Sequence, residues 1–522
     1  MKRSLALLIF VTAAIGVAAA QSEVDPVIER IRDEAQQRSQ IMESAFYLSD
    51  LYGPRFTGSP NLSSAGSWVS DRLESYGLKV HTELVDRPID VGGGLMWSGR
   101  GWAFDKFTAE MLQPTYQSLI GEPAMFSPST PGVVQGKVVL LVLPPPGDPE
   151  VLKRFEAENH GKLTAKVLLI SPLQPIQRPS STDFQRYTDA QLDELKRAQG
   201  EVPPVLPLSA HPTPAPLDPG MKRMLDMQDE IFAFLKREGV LALVQAAPGG
   251  GGTHFVLSPL GPPDPATAPP PTIALEPEHY NRIYRLAQHN IPVDLAINVH
   301  ASTFPDAGPF NVLGEIPGTD KRNEVIVAGA HLDSFQLATG ATDNAANVAV
   351  VMEAARILEA LKLPVRRTIR FAFWGAEEID RQGSRDYVRK HVLQATGDSE
   401  RIKSYFNLDY GTGRIRGIYL QGHAALAPRF QQWLAPFAGV GGATVSEKVT
   451  NGSEQKSFND VGVPGFSFIQ DPLDYEVRTH HTNMDTYDYL LPDDLKQSAM
   501  ILATLLYEAA NSDEGLATRP AR

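Results

Sequence analysis

From about residue 293 onward, short apolar strands alternate with helices, and acids and histidines gather where the strands end. Val325 to Ala330 is one strand, Thr368 to Trp374 (Ile369, Phe371 and Phe373 alternating) a second, and Ser404 to Leu408 a third. Between the first two, Asn344 to Lys362 reads as an amphipathic helix with Val348, Val351, Met352, Ala355 and Leu358 in phase. Leu495 to Ala509 closes the pattern as another helix. Connections of this length are crossovers, and crossovers join parallel strands. The expected fold is therefore α/β: a mixed, largely parallel central sheet flanked by helices. Ligands of such sheets bind beyond the carboxyl ends of the strands.

The 522 residues leave room for two or more domains. Residues 1–20 read as a signal peptide: basic Lys2 and Arg3, an uncharged apolar run from Leu5 to Val17, and Ala18-Ala19-Ala20 as a cleavage site. That run is shorter than the roughly 20 residues a spanning helix needs. Export is expected, to a periplasm or the medium, with no membrane association after cleavage. Residues 21–111 are expected to be the first part of a catalytic domain and 291–512 its second part. Residues 112–290 differ in texture, with the short strands VVQGKVVLLV, KVLLI and VLALV, and read as a strand-rich inserted domain. Within it, Thr188 and Gln191 have capping-box spacing, and Met221 to Glu238 reads as a helix with Gly239 as its cap. Seven prolines between Pro203 and Pro219 mark a stiff connector, and Gly249 to Gly252 reads as a plain loop. Residues 513–522 read as a flexible tail.

The formal net charge of −13 excludes a nucleic-acid binder, which needs Lys and Arg against phosphates. Cysteine is absent, so no thiolate metal site, Cys nucleophile or disulfide scaffold exists. Any metal must be held by His, Asp and Glu. Five clusters offer them: His331-Leu332-Asp333, Asp343-Asn344, Glu377-Glu378, Asn407-Leu408-Asp409, and the stretch from Thr479 through His480 and His481 to Asp485. Each alone has an ordinary structural reading; Asp343 suits a helix start and Glu377-Glu378 a solvated face. Together they place acids on successive strand ends, where they repel one another unless cations lie among them. Two divalent ions balance three carboxylates and a hydroxide.

The motifs HLDS, GATDNAAN, WGAEE, NLDYGTG and HHTNMDT, in that order, resemble the co-catalytic di-zinc exopeptidases of metallopeptidase family twenty-eight. Within that family the likeness is to the plasma glutamate carboxypeptidase (carboxypeptidase Q) branch. It is strong over about 300–510 and weaker over 45–85, where GPRFTGSP resembles the family's N-terminal loop. Residues 112–290 resemble its inserted protease-associated domain, with extra material from about 145 to 240. The resemblance implies the zinc exopeptidase fold and two zinc ions per chain. It makes Asp343 the bridging ligand, His331 and Asp409 the rest of one site, and Glu378 and His481 the rest of the other. Glu377 is implied as general base acting on a metal-bridging hydroxide. Asp333 and Asp485 are implied to orient His331 and His481 through their other ring nitrogens. A cis peptide is implied at Asp343–Asn344. His481 is preferred to His480 because the spacing to Asp485 fits the family. Ser453-Glu454-Gln455 departs from the family's Ser-Asp-His-type stretch and receives no role.

The expected activity is hydrolysis of peptide bonds at a chain end, with aminopeptidase first. A carboxypeptidase or dipeptidase is the alternative; it wants a cation for a terminal carboxylate, and Arg478 is the candidate, though it also reads as an ordinary surface arginine. An inactive binding protein would be expected to lose ligands, and all are present. A single-zinc glutaminyl cyclase is the remaining alternative, disfavoured by the intact HLD motif and Glu-Glu pair. The expected partner is a peptide substrate; the sequence leaves oligomeric state open.

Overall fold

The strand Arg367–Trp374 is buried along its whole length, as a strand with neighbours on both edges and layers on both faces must be. In the computed structural model, which describes residues 25–86, 89–90, 96–97, 100–145, 147–176, 182–205, 218–256, 268–305, 307–396 and 400–516, it lies in an eight-stranded sheet. Across that sheet run Lys79–Leu84, Phe310–Ile316, Arg367–Trp374, Lys321–His331, Arg401–Asn407, Gly465–Gln470, Ile415–Tyr419 and Thr444–Ser446. The four strands from Arg367–Trp374 to Gly465–Gln470 are mutually parallel, and antiparallel partners flank them on both sides. The fold is thus mixed α/β, with four parallel carboxyl ends opening on one side. The expected signal peptide lies outside the described residues.

The helix Ala346–Ala360 differs from its amphipathic reading. It is buried on every side from Ala346 through Leu358. It lies between the sheet and an outer layer formed by Pro26–Gln37, Ile41–Phe46, Pro60–Tyr76 and Pro492–Asn511, so no face meets water. Its charged residues survive burial by pairing: Arg356 donates to Glu353 at 2.9 Å and to Glu34 at 2.6 Å. The chain stays packed beyond residue 512, where a loose tail was expected. Leu516 joins the same core, and Asp513 and Glu514 pair with Arg366 and Arg429. Residues 517–522 lie outside the described set.

A second eight-stranded sheet has its own cores. Tyr280 and Ile283 of the helix Pro277–Gln288 cover one face; Phe155 and Leu235, from Pro149–Asn159 and Pro219–Arg237, cover the other. The sheet takes in Gly101–Gln113 and Asp294–Phe304, paired antiparallel along their length. The expected limits at 112 and 290 therefore fall too far inward: the long ribbon these strands form was not read as one element. Gly101 touches the catalytic part closely, since a Cβ there would lie 1.7 Å from the Gly58 carbonyl oxygen. The capping box at Thr188 and Gln191 is present. Its helix, Asp189–Arg197, crosses to the central sheet, where Leu192 packs on Tyr419 and Ile469. Arg186 pairs there with Asp471 at 2.8 Å and Asp494 at 2.7 Å. Among the described residues, no helix is long and apolar enough to cross a membrane.

Candidate metal centre

The four parallel strands deliver their side chains to one point. His331 is the last residue of its strand, Glu377 and Glu378 follow Trp374, Asp409 follows Asn407, and His481 lies in the loop beyond Gln470. Asp343 comes from an irregular turn, Ala341–Ala345, whose Asp343 and Asn344 are non-helical and whose Asp343–Asn344 peptide is cis. His331 Nε2 is 3.0 Å from Asp409 Oδ1 and 3.2 Å from Asp343 Oδ1. His481 Nε2 is 3.1 Å from Asp343 Oδ2 and 3.2 Å from Glu378 Oε2. Asp343 therefore offers one oxygen to each histidine. Ligands about 2.0 Å from a tetrahedral zinc stand roughly 3.3 Å apart, close to these separations.

The side chains fit divalent cations better than they fit one another. Asp343 Oδ2 and Glu378 Oε1 are buried without a hydrogen-bond partner, although His481 Nε2 lies beside the first. Neighbours that approach without aligning are the mark of donors aimed at a shared centre. The acids also crowd. Burial, reinforced by Asp343, pushes Glu378 up to about 7. Burial and then Glu454 hold Glu377 well above the usual carboxylate range. His481 rises to about 10: burial opposes this, and Glu378 and Asp343 overcome it. Cations placed among these groups relieve the repulsion.

Behind the ligands, Asp333 turns its backbone carbonyl to His331 Nδ1 at 3.0 Å, not the carboxylate that the resemblance implied. Its Oδ1 is 3.7 Å from His331 Nδ1, and its carboxylate accepts the backbone N–H of Glu377 at 3.1 Å and of Glu378 at 3.3 Å. Asp485 differs. Its carboxylate accepts the N–H of Thr342 at 2.5 Å and of Asp343 at 3.2 Å, so it braces the turn that carries Asp343 instead of the His481 ring. His481 has a left-handed φ of 58°, and its Nε2 faces Asp343 and Glu378. His480 is also near, with Nε2 4.0 Å from Asp343 Oδ2, but its Nδ1 faces Glu476 at 3.5 Å and its ring stacks on Tyr475.

Residues 311–506 match the family model described as Peptidase family M28. The chain carries a peptidase family M28 domain. Carboxypeptidase Q of Homo sapiens is 23% identical over 496 residues, covering 92% of this chain and 87% of that protein. Two solved structures share the fold. A peptidase M28 precursor from Shewanella amazonensis SB2B has a TM-score of 0.61 at 22% identity, covering 95% of this chain and 98% of its own. A zinc aminopeptidase from Bacillus subtilis has a TM-score of 0.50 at 17% identity, covering 92% and 96%.

Three residues around the M28 site carried no role in the sequence reading. Arg55, from GPRFTGSP, is fully buried and donates to the carbonyls of Leu48, Leu332, Thr339 and Gly340 at 2.6–3.1 Å, tying down the loop between His331 and Asp343. Thr57 donates to Asp333 Oδ2 at 2.6 Å. Glu454 is fully buried, with one carboxylate oxygen within 4.8 Å of those of Glu377 and Asp409. Burial, and among its neighbours Asp409, push it up to about 8. A single acid in a polar loop carries no periodic signal, so only the assembled fold reveals it. Arg478, the candidate for a terminal carboxylate, is engaged elsewhere, on Asp183 at 2.7 Å and Thr253 at 2.7 Å.

Proposed function

We propose that this chain is an exported di-zinc exopeptidase, acting first as an aminopeptidase. His331, Asp409 and Asp343 Oδ1 would hold one ion; His481, Glu378 and Asp343 Oδ2 the other. The observation that carries the reading is the divided Asp343 carboxylate, one oxygen toward each histidine. When bound, two such ions polarise the scissile carbonyl and acidify water. Glu377, whose carboxyl burial and Glu454 hold well above the usual carboxylate range, takes a proton from the attacking water and returns it to the leaving amine. Glu377 and Glu454 beside Asp409 form a recess lined by carboxyl oxygens, which suits the N–H donors of a free α-amine. Export is proposed from the N-terminal leader.

A carboxypeptidase or dipeptidase reading is supported by the Carboxypeptidase Q relative and by Lys448, which lines a cavity of about 270 Å³ next to Asp409. Dipeptides with free termini, N-acetyl caps or C-terminal amides separate the readings. An aminopeptidase cleaves the amides and spares the acetyl forms; a carboxypeptidase does the reverse; a dipeptidase spares both. Cleavage of none of the three, with zinc loaded, refutes the exopeptidase reading.

A further inference from the structure

We infer that the inserted unit holds the His481 loop in the conformation that presents His481 to the metal centre, with Asn483 and His254 as the positioning residues. The inference rests on the metal reading above. Gly249 to Gly252, expected as a plain loop, instead form a tight hairpin in which Gly249 pairs with His254 and Gly250 with Thr253. All four glycines have positive φ, a path that side chains would oppose. The residues leaving this hairpin pair with the ligand loop as one strand pairs with another. Phe255 bridges Thr482, the N–H of Val256 donates to the His481 carbonyl at 2.9 Å, and the N–H of Asn483 donates to the His254 carbonyl at 3.1 Å. The Asn483 side chain completes the clasp. Its Oδ1 accepts the N–H of His254 at 2.8 Å, and its Nδ2 donates to the Gly252 carbonyl at 3.0 Å.

His481 needs such support. Its left-handed backbone is uncommon for a residue with a side chain and persists where surroundings enforce it. The clasp is itself anchored. His254 and Glu122 are both buried and meet at 2.7 Å, and Glu122 lies on Gly121–Pro123, a strand paired with Thr272–Leu275 in the second sheet. Arg478 adds a further tie from the start of the loop to Thr253 and Asp183. A ligand of the catalytic part is thus oriented by main chain from the inserted part. Asp485, expected to orient that histidine, is occupied with the Asp343 turn instead.

The test is zinc binding by the leader-free full chain after metal stripping, followed by calorimetric titration. Wild type should bind two ions. Asn483→Ala and His254→Ala should keep one ion at wild-type affinity and weaken the other about 10–100-fold, as outer supports of metal ligands do. His254→Gln, which keeps a donor toward Glu122, should restore most of the loss. Leu235→Ala removes a buried side chain from the far side of the inserted sheet and should lower the melting temperature while both affinities stay unchanged. The inference is overturned if Asn483→Ala binds both ions as wild type does, or if Leu235→Ala weakens the same ion equally. Asn483 is only partly buried, so it carries the test alone if His254→Ala does not fold. A wild-type chain that binds fewer than two ions refutes the metal reading and this inference with it.

Discussion

Glu377→Gln and Glu378→Gln change adjacent residues by one atom each and should fail in different ways. Neither disturbs the turn, because Asp333 holds the backbone N–H of both. Glu378 Oε2 lies 3.2 Å from His481 Nε2, whereas the Glu377 carboxyl faces Asp409 and Glu454. Glu377→Gln therefore leaves both sets of metal donors intact and removes only proton transfer. That costs about 10²–10⁴-fold in kcat, or about 3–5 kcal/mol of barrier. Glu378→Gln replaces an anionic donor by a neutral amide and should weaken one ion by at least about tenfold. The metal-free proteins should melt no lower than wild type, since each swap removes an acid whose ionisation is disfavoured in the fold. Zinc should then raise the melting temperature of Glu377→Gln as much as that of wild type, and of Glu378→Gln less. Zinc content, melting with and without zinc, and hydrolysis of an aminoacyl substrate decide the matter. If Glu377→Gln loses metal and Glu378→Gln keeps it, the roles are reversed. If both turn over at the wild-type rate, the catalytic assignment is wrong.

Metal-free protein should lose stability as pH rises. Glu378 and Asp485, both pushed to about 7 by burial and then by Asp343, ionise in the unfolded chain near 4.5 and 3.8, so the unfolded state releases its protons first. His481, raised to about 10, adds stability that is complete below 6.5 and lost toward the higher value, which has the same sign. Melting of stripped protein between about pH 5 and 9 should fall, and a rise would contradict the crowding described above. Arg55→Met should cost at least about 3 kcal/mol, because four carbonyls lose a buried charged donor. A loss below about 1 kcal/mol in denaturant melts would show that loop to be self-supporting. Intact mass of exported protein should begin at Gln21; retention of residues 1–20 would make the segment an anchor.

Much of the catalytic part was legible because its signals are local. The strands before His331 and after Lys362 are apolar runs; His331 ends its strand and Asp409 and Glu378 follow theirs by two and four residues, so order along the chain already implied convergence. Burial of Ala346 through Leu358 on all sides was not legible, because Glu353 and Arg356 look like a solvent face until Glu34, more than 300 residues away, supplies the partner. The limits of the inserted unit were missed for a related reason. Gly101–Gln113 and Asp294–Phe304 become one ribbon only through pairing across nearly 200 residues. Glu454, Arg55 and the hairpin at Gly249 share that character: their roles are defined by what lies opposite them.

Gly101 and Phe304 face each other as paired residues at the foot of that ribbon. The chain thus leaves and rejoins the catalytic part through a single two-stranded stalk. In genetic terms the segment between them is a cassette: excised at the foot and closed by a short turn, it takes no strand from the central sheet. A lineage could gain or shed it in one event without rewriting the fold. The heritable cost falls elsewhere, on the positions that would have to find a new anchor in the same step: Arg478 to Asn483, Asp471 and Asp494 opposite Arg186, and Tyr419 and Ile469 under Leu192.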